Sequence, residues 1–233
     1  MRHNNIFSNN QSDFIDYLLS LVQDGKNNVP PIKQIGQELG LSTPCVREQL
    51  ELARILGLIK VQPRKGISIL PYDFSPAVVK SLFYAIKSNI NYFHQYSVLR
   101  NQLEKSFFIE SAKLLDNSDV FSIKSTVKRA ISKLNGGQIQ IPHQEHRSYH
   151  LQIYNKLDNI FVKGLLKSYW DMYELVGLDH FTDLTYLKKV WDYHDRIIMM
   201  ISNGEYKKAY KLLEEHIDLI CEREDSTLKE IRS

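Results

Sequence analysis

The sequence predicts a mainly α-helical protein in which a small mixed unit precedes a larger all-helical one. Only 10 of the 233 residues are glycine and only seven are proline, which favours long helices over many tight β-turns. Apolar residues recur at helical spacing along most of the chain. A length of 233 residues fits two compact domains of ordinary size. We expect domains at residues 1–70 and 77–233, joined by a linker at residues 71–76.

The first unit shows three helical patterns followed by two short strand patterns. A serine suits the N-cap of the first helix, a glycine the C-cap of the second, and a serine with a nearby proline the start of the third. Helix, helix, turn, helix and hairpin is the order of a winged helix-turn-helix, although other small α/β domains share it. The predicted helices are Ser12–Gln23, Ile32–Leu39 and Ser42–Leu56, and the predicted strands are Ile59–Gln62 and Ile67–Leu70.

The second unit follows a proline-bounded linker, Pro71–Pro76, in which prolines disfavour helix. Beyond it we expect an antiparallel, all-α bundle of about seven helices, separated where glycine or asparagine suits a helix end. Such bundles often hold ligands and metals between facing helices. The predicted spans are Ser75–Gln95, Tyr96–Leu115, Ser118–Leu134, Pro142–Lys156, Phe161–Val176, Leu184–Ser202 and Glu205–Lys229.

Charge is distributed unevenly between the two units. Seven basic and three acidic residues lie between Lys26 and Leu70, so this segment has a net charge of +4. The other 188 residues carry 23 basic and 24 acidic side chains. A basic unit beside a nearly neutral one is expected when only the first contacts a polyanion.

Cysteine usage and hydropathy indicate the compartment. Cys45 and Cys221 are the only cysteines and cannot form a disulfide framework, which favours a reduced, intracellular protein. The sequence contains no apolar run long enough for a membrane span, and its first residues lack the apolar core of a signal peptide. We therefore expect a cytoplasmic protein without membrane partners.

Three stretches of the first unit carry a family resemblance. Val29-Pro-Pro-Ile-Lys33, the run LGLSTPCVREQLELARILGL from Leu39 to Leu58, and Arg64-Lys-Gly66 resemble the winged-helix domain of the GntR family of bacterial transcription regulators. The helical remainder looks like the FCD ligand-binding domain of the fatty-acid-regulator-like branch of that family. The resemblance implies a homodimer that binds double-stranded operator DNA.

The resemblance also implies which residues contact DNA. The N-terminal end of a recognition helix meets base edges in the major groove, and the wing reaches phosphates. Thr43 stands where arginine is common, and threonine reads bases less specifically than arginine does. The implied DNA-binding residues are Lys33, Thr43, Cys45, Arg47, Arg64, Lys65 and Gly66.

Four histidines of the second unit are candidate metal ligands. His146 and His150 are four residues apart on one predicted helix and therefore share a face. The FCD pattern of metal ligands matches at His150, His194 and His216, whereas His146 replaces the usual aspartate. The resemblance thus implies a divalent metal held by all four, and two alternatives for His146 stay open: a site that has lost its metal, or a water molecule in place of this ligand. Imidazole ligands favour zinc or nickel over harder ions such as magnesium. We interpret the other four histidines as ordinary core or surface groups.

Two further residues are implied in effector binding. Arg100 resembles the arginine that family members direct into the effector pocket, where a guanidinium can hold a carboxylate through two parallel bonds. The alternative is a weak surface salt bridge to Glu104, one helical turn away. Asn159, nine residues after His150, also fits the pattern. The effector is therefore expected to be a small organic acid.

These observations predict a ligand-responsive transcription regulator and not an enzyme. A metal-dependent enzyme is the less favoured alternative, because the sequence offers no separate nucleophile constellation and no phosphate-binding glycine loop. In a third interpretation, the metal itself is the signal and the protein is a metal sensor.

Overall fold

The computed structural model describes residues 9–136, 140–176 and 183–232, with side chains over 14–136, 140–176 and 183–219. It comprises two compact units, Met1–Ala77 and Val78–Ser233. The first is a helix-turn-helix with a three-stranded sheet, and the second is entirely helical in its described residues. The predicted fold class is confirmed.

The first unit contains three helices and a small antiparallel sheet with strand order β1-β3-β2. β1 was not expected from the sequence, because two residues are too few to show an alternating pattern. It pairs with β3 through Asn28 opposite Ser68 and Val29 opposite Ile67. The elements are α1 Asn9–Gln23, β1 Asn28–Val29, α2 Ile32–Leu39, α3 Thr43–Ile55, β2 Ile59–Gln62 and β3 Gly66–Ile69.

The turn between α2 and α3 is fixed by glycine and by a capping serine. Gly40 ends α2 in the left-handed conformation, with φ of 66°, which glycine adopts without steric cost. Ser42 then caps α3, and its hydroxyl accepts a hydrogen bond from the Cys45 N–H at 3.4 Å. Buried Ile35 of α2 and Val46 of α3 lie in the same core cluster. These contacts fix the turn before α3, the helix that the sequence predicts to be the recognition helix.

Seven helices form the described part of the second unit. The first of them, α4, begins at Ser75, shortly before the second unit starts at Val78. The predicted helix break between Gln95 and Tyr96 is wrong, since α5 runs through it. The break lies instead at Asn89, whose side-chain oxygen accepts a hydrogen bond from the Asn91 N–H at 3.0 Å. The helices are α4 Ser75–Ser88, α5 Asn91–Leu114, α6 Asn117–Asn135, α7 His143–Ile153, α8 Ile160–Leu175, α9 Leu184–Ser202 and α10 Tyr206–Arg232.

Helices α5 to α10 enclose a common interior. α9 packs on α6 and α10, and α5 packs on α8 and α10. Phe108 of α5, Ile123 of α6, Ile197 of α9 and Ile217 of α10 are at most 1% exposed and belong to one core cluster. Within the described ranges, no helix is both long and apolar enough to cross a membrane.

Candidate metal and effector site

Four histidine side chains from three helices converge in the interior of the second unit. His146 and His150 project from α7, His194 from α9 and His216 from α10. One ring nitrogen of each lies within 4.8 Å of the others. His150, His194 and His216 are at most 1% exposed. The structure therefore brings together the four histidines that the FCD resemblance implied as metal ligands.

Aromatic side chains surround these imidazoles. The Tyr149 ring stacks on His194 with centroids 4.0 Å apart, and the Tyr149 hydroxyl donates a hydrogen bond to the His194 carbonyl oxygen at 3.0 Å. The Trp191 ring meets His194 edge-on at 4.6 Å, and the Trp170 ring lies 5.0 Å from His150. Packing of this kind restricts the rotamers of the imidazoles and excludes bulk water from them.

The environment keeps the buried imidazoles neutral. Burial lowers the pKa of His150 well below its ordinary value, and the positive charge of Arg100 lowers it further. Burial is also the main cause of the strongly lowered pKa of His194 and of His216, with neighbouring histidines adding to the effect. A neutral imidazole is the form that donates a lone pair to a metal ion. Three of the four histidines are thus in the metal-binding form at neutral pH.

The donor set fits a single transition-metal ion. The Nε2 atoms of His194 and His216 are 3.0 Å apart. Two ligands about 2.0–2.1 Å from one ion are separated by about 2.9–3.4 Å at tetrahedral to right angles. The buried Nε2 of His150 has no hydrogen-bond partner among the described residues. Four imidazoles suit zinc, nickel, cobalt or copper. That the bound metal is zinc or nickel stays a prediction.

Arg100 and Glu104 of α5 lie directly beside the histidines. Arg100 Nη2 is 3.0 Å from Glu104 Oε1 and 3.1 Å from His150 Nδ1. The salt bridge to Glu104 is therefore present, but it does not lie on the surface, because both side chains are at most 1% exposed. Burial raises the pKa of the Glu104 carboxyl, and the positive charge of Arg100 opposes that rise. Arg100 therefore lies beside the predicted metal ligands and is paired with a buried carboxylate.

The guanidinium of Arg100 is held on several sides. Its Nη1 donates a hydrogen bond to Asn101 Oδ1 at 3.0 Å. Its Cζ lies 4.8 Å from the Tyr169 ring centroid and 5.5 Å from that of Trp170. Cation–π contacts of a desolvated arginine contribute about 2 kcal/mol or more each. Such contacts hold the guanidinium of Arg100 in place.

Asn159 has a structural role in this conformation. Its side-chain oxygen accepts hydrogen bonds from the N–H groups of Phe161 and Val162, both at 3.1 Å, and so caps the N-terminus of α8. α8 carries Tyr169 and Trp170, so the cap helps to fix the helix that borders Arg100. Direct contact between Asn159 and an effector stays a prediction.

Sequence reasoning missed two residues of this site, Glu104 and Trp170. Glu104 was considered only as a surface partner of Arg100, although the spacing of four residues already placed both on one face of α5. Trp170 was not singled out, yet its buried Nε1 has no hydrogen-bond partner among the described residues and its ring lies 4.8 Å from that of His146. Nothing in one sequence places α8 against α7.

The first unit presents the predicted DNA-binding residues at its surface. The Lys33, Thr43 and Arg47 side chains are exposed and Cys45 is half-buried. Arg64, Lys65 and Gly66 form the exposed tip of the β2–β3 hairpin. Arg64 has φ of 64°, a left-handed conformation that is uncommon for arginine. Whether these residues contact DNA stays a prediction.

Comparison with known families identifies the second unit. The family model of the FCD domain matches residues 96–219, more than half of the chain. The chain belongs to the FCD-domain branch of the GntR regulators. The matched FCD segment contains Arg100, Glu104 and all four clustered histidines. The family resemblance inferred from the sequence is thereby confirmed.

Solved structures with the same fold extend over both units. Streptococcus agalactiae GntR superimposes with a TM-score of 0.70 at 16% identity, covering 91% of this chain and 99% of that one. E. coli McbR/YncC gives a TM-score of 0.50 at 14% identity, covering 97% of this chain and all of that one. At such low identity these likenesses concern the fold alone. A comparison with curated proteins yields no match.

The family relationship defines the class of protein. FCD-domain members of the GntR family are ligand-responsive transcription regulators, and not enzymes. FCD domains often bind metals, in agreement with the four-histidine cluster.

Proposed function

We propose that the chain is a cytoplasmic, homodimeric transcription regulator that binds operator DNA and responds to a small organic acid at a histidine-held metal. The observation that carries this proposal is the convergence of His146, His150, His194 and His216 beside the buried Arg100. All five residues lie in the FCD domain, which is the sensing part of such regulators.

The charge of the site favours an anionic effector. Four neutral imidazoles leave the full +2 charge on a bound divalent ion, and the carboxylate of Glu104 is already paired with Arg100. A metal in this site supplies a Lewis-acidic position for an oxygen ligand. Arg100 can hold a carboxylate through two parallel hydrogen bonds once it turns from Glu104. A small carboxylate therefore suits both groups.

The winged helix supplies the DNA contacts of the proposal. Lys33, Arg47, Arg64 and Lys65 are exposed cations that form no ion pair within the described residues. Such cations neutralise phosphates and release counterions, so binding should weaken steeply with salt. A two-fold dimer presents its recognition helices to successive major grooves, about 34 Å apart, and reads a near-palindromic operator.

Regulation requires that the effector bind the operator-bound and operator-free dimers with different affinities. An effector with equal affinity for both changes nothing, however tightly it binds. We expect a difference because an anion at Arg100 competes with Glu104 and so changes the contacts of α5, which also packs on α8 and α10.

The test begins with the full-length protein and a pool of random-sequence DNA duplexes, from which bound sequences are selected. Operator affinity is then measured with chelated protein and with zinc-loaded protein, each without and with individual mono- and dicarboxylic acids. The proposal expects acids to change operator affinity only when the metal is present. Failure to enrich any palindromic sequence contradicts the operator claim, and identical affinity under all four conditions contradicts the sensing claim.

A metal sensor is the second candidate, favoured by the number of ligands. Four protein ligands already complete a tetrahedral zinc site, whereas sites that keep an open position usually have three. If the metal is the signal, zinc alone changes operator affinity and acids add nothing at constant zinc. The same titrations therefore separate the two functions.

A further inference from the structure

Glu104 lies behind one of the clustered histidines, on the side away from its unpartnered nitrogen. Glu104 Oε1 is 3.1 Å from His150 Nδ1, and both side chains are at most 1% exposed. The other ring nitrogen, His150 Nε2, is buried without a hydrogen-bond partner among the described residues. One nitrogen of this imidazole is therefore engaged by a carboxylate, and the other is the one available to a metal.

Two neighbours compete for His150 Nδ1 with opposite consequences. A carboxylate only accepts hydrogen bonds, so contact with Glu104 requires the proton on Nδ1 and leaves the Nε2 lone pair open. Arg100 only donates, and its Nη2 is also 3.1 Å from Nδ1. Donation from Arg100 would require a bare Nδ1, which in a neutral imidazole puts the proton on Nε2 and blocks coordination there.

We propose that Glu104 is a positioning residue that holds His150 in the Nδ1–H tautomer, so that Nε2 is free to bind the metal. Glu104 does so in two ways, by accepting the Nδ1–H hydrogen bond and by engaging Arg100 Nη2 at 3.0 Å on the same oxygen. Carboxylates behind a metal-bound histidine commonly fix its ring and raise its donor strength. The inference rests on the proposed function only in requiring that this cluster bind a metal.

The substitutions Glu104→Gln and Glu104→Leu test this proposal in graded steps. Glutamine keeps an acceptor oxygen without the charge, whereas leucine removes the acceptor and leaves Arg100 as the only partner of Nδ1. We expect zinc affinity of the full-length protein to fall by about 10- to 100-fold in Glu104→Leu and by less in Glu104→Gln. Glu110→Leu, on an exposed position of the same helix, is the matched control and should leave zinc affinity unchanged.

Two readouts separate positioning from general damage to the fold. In metal-free protein, ¹⁵N spectra of histidine-labelled samples should show His150 protonated on Nδ1 in the wild type and on Nε2 in Glu104→Leu. The second readout is the double variant Arg100→Leu/Glu104→Leu, which removes the competing donor and should recover part of the zinc affinity. If Glu104→Leu does not fold, the zinc affinity of Glu104→Gln and the wild-type spectrum still test whether Glu104 holds the His150 tautomer.

The possible results distinguish this inference from the proposed function. A wild-type spectrum with the proton on Nε2 overturns the role of Glu104 whether or not zinc binds. Zinc binding that is equal in the wild type and both Glu104 variants overturns it as well, while leaving the metal site intact. A wild type with Nδ1–H that binds no zinc contradicts the proposed metal site instead. An equal loss from Glu104→Leu in wild-type and His150→Gln backgrounds shows that Glu104 does not act through His150.

Discussion

The Nε2 atoms of His194 and His216 lie 3.0 Å apart, and both side chains are fully buried. Two neutral imidazoles at this distance can share one proton in a hydrogen bond. They can also direct both lone pairs at one metal ion, at the separation expected for neighbouring ligands. Because His150 and His146 point to the same place, the second arrangement uses all four rings.

The first prediction concerns the contribution of the cluster to metal binding. His216→Gln removes a buried nitrogen ligand, and zinc affinity should fall by at least about 100-fold, since it removes a ligand rather than only its outer partner. Competition with a chromophoric chelator measures the affinity. His143→Gln provides the control, because His143 lies on α7 with two cluster members but outside the cluster. Similar affinity in both variants would show that His216 is not a ligand.

The second prediction follows from the lowered pKa of the buried histidines. In the unfolded chain a histidine takes up a proton below about pH 6.5, whereas His194 in the folded protein does not. The unfolded state then binds more protons, so the free energy of unfolding decreases as pH falls below about 6.5. The slope is at most about 1.4 kcal/mol per pH unit for each such histidine.

Urea unfolding of metal-free protein between pH 7.5 and 5.5 measures this slope. His194→Gln should make the free energy of unfolding depend less steeply on pH than in the wild type. Burial raises the pKa of Glu104, which has the opposite effect on this slope. Because Glu104 is present in both proteins, the comparison between them cancels its contribution. Saturating zinc should raise the wild-type stability most at pH 7.5, where protons do not compete for the ligands. Equal slopes in wild type and variant would mean that His194 ionises normally in the folded protein.

Much of this architecture is predictable from sequence, for reasons that are local. Gly40, Ser42 and Pro44 mark the turn before the recognition helix through their own backbone preferences, and the structure has α3 where they place it. The four histidines were selected only through the spacing of a family pattern, because helical periodicity gives no reason to bring α7, α9 and α10 together.

The partnership of Glu104 with His150 depends on tertiary packing that no local signal encodes. The two residues are 46 positions apart, and their contact requires α5 to lie against α7. For the same reason the alternative of a surface salt bridge between Arg100 and Glu104 could not be rejected from the sequence, since a pair four residues apart looks alike on an exposed and on a buried helix face. The break at Asn89 was missed because its capping side chain competes with an otherwise continuous helical pattern.

The third prediction concerns the junction between α3 and β2. Gly57 has φ of 76°, and a Cβ atom there would lie 2.6 Å from Cγ of Pro76. Gly57→Ala therefore adds both backbone strain and a clash with a rigid ring, and should destabilise the first unit by at least about 2 kcal/mol. Thermal unfolding followed by circular dichroism measures the change. Gly25→Ala is the control, because Gly25 also has a positive φ but no atom lies within 4 Å of the added Cβ. It introduces the backbone strain alone and should lower the free energy of unfolding by less.

The fourth prediction uses the strained wing tip. Arg64→Gly relieves a positive φ of 64°, so the free energy of unfolding should stay within about 1 kcal/mol of the wild type. Operator affinity should nevertheless decrease, and the slope of log affinity against log salt should become shallower by about one if the lost cation contacts a phosphate. Arg54→Gln serves as the control, because Arg54 is paired with Glu51 on α3. An unchanged salt slope in Arg64→Gly would place Arg64 away from the DNA.

The last prediction concerns the histidine that replaces the aspartate of the FCD pattern. His146 is half-buried, and its ring centroid lies 5.1 Å from those of His150 and His194. His146→Asp introduces a hard, negatively charged oxygen ligand, which should raise manganese affinity relative to nickel by about 10-fold or more. It also lowers the net charge of the loaded site to +1, so acetate and succinate should strengthen metal binding less than in the wild type. Calorimetric titrations of both metals, with and without these acids, measure each effect. If the manganese-to-nickel ratio is the same in the two proteins, the metal is held by His150, His194 and His216 without His146.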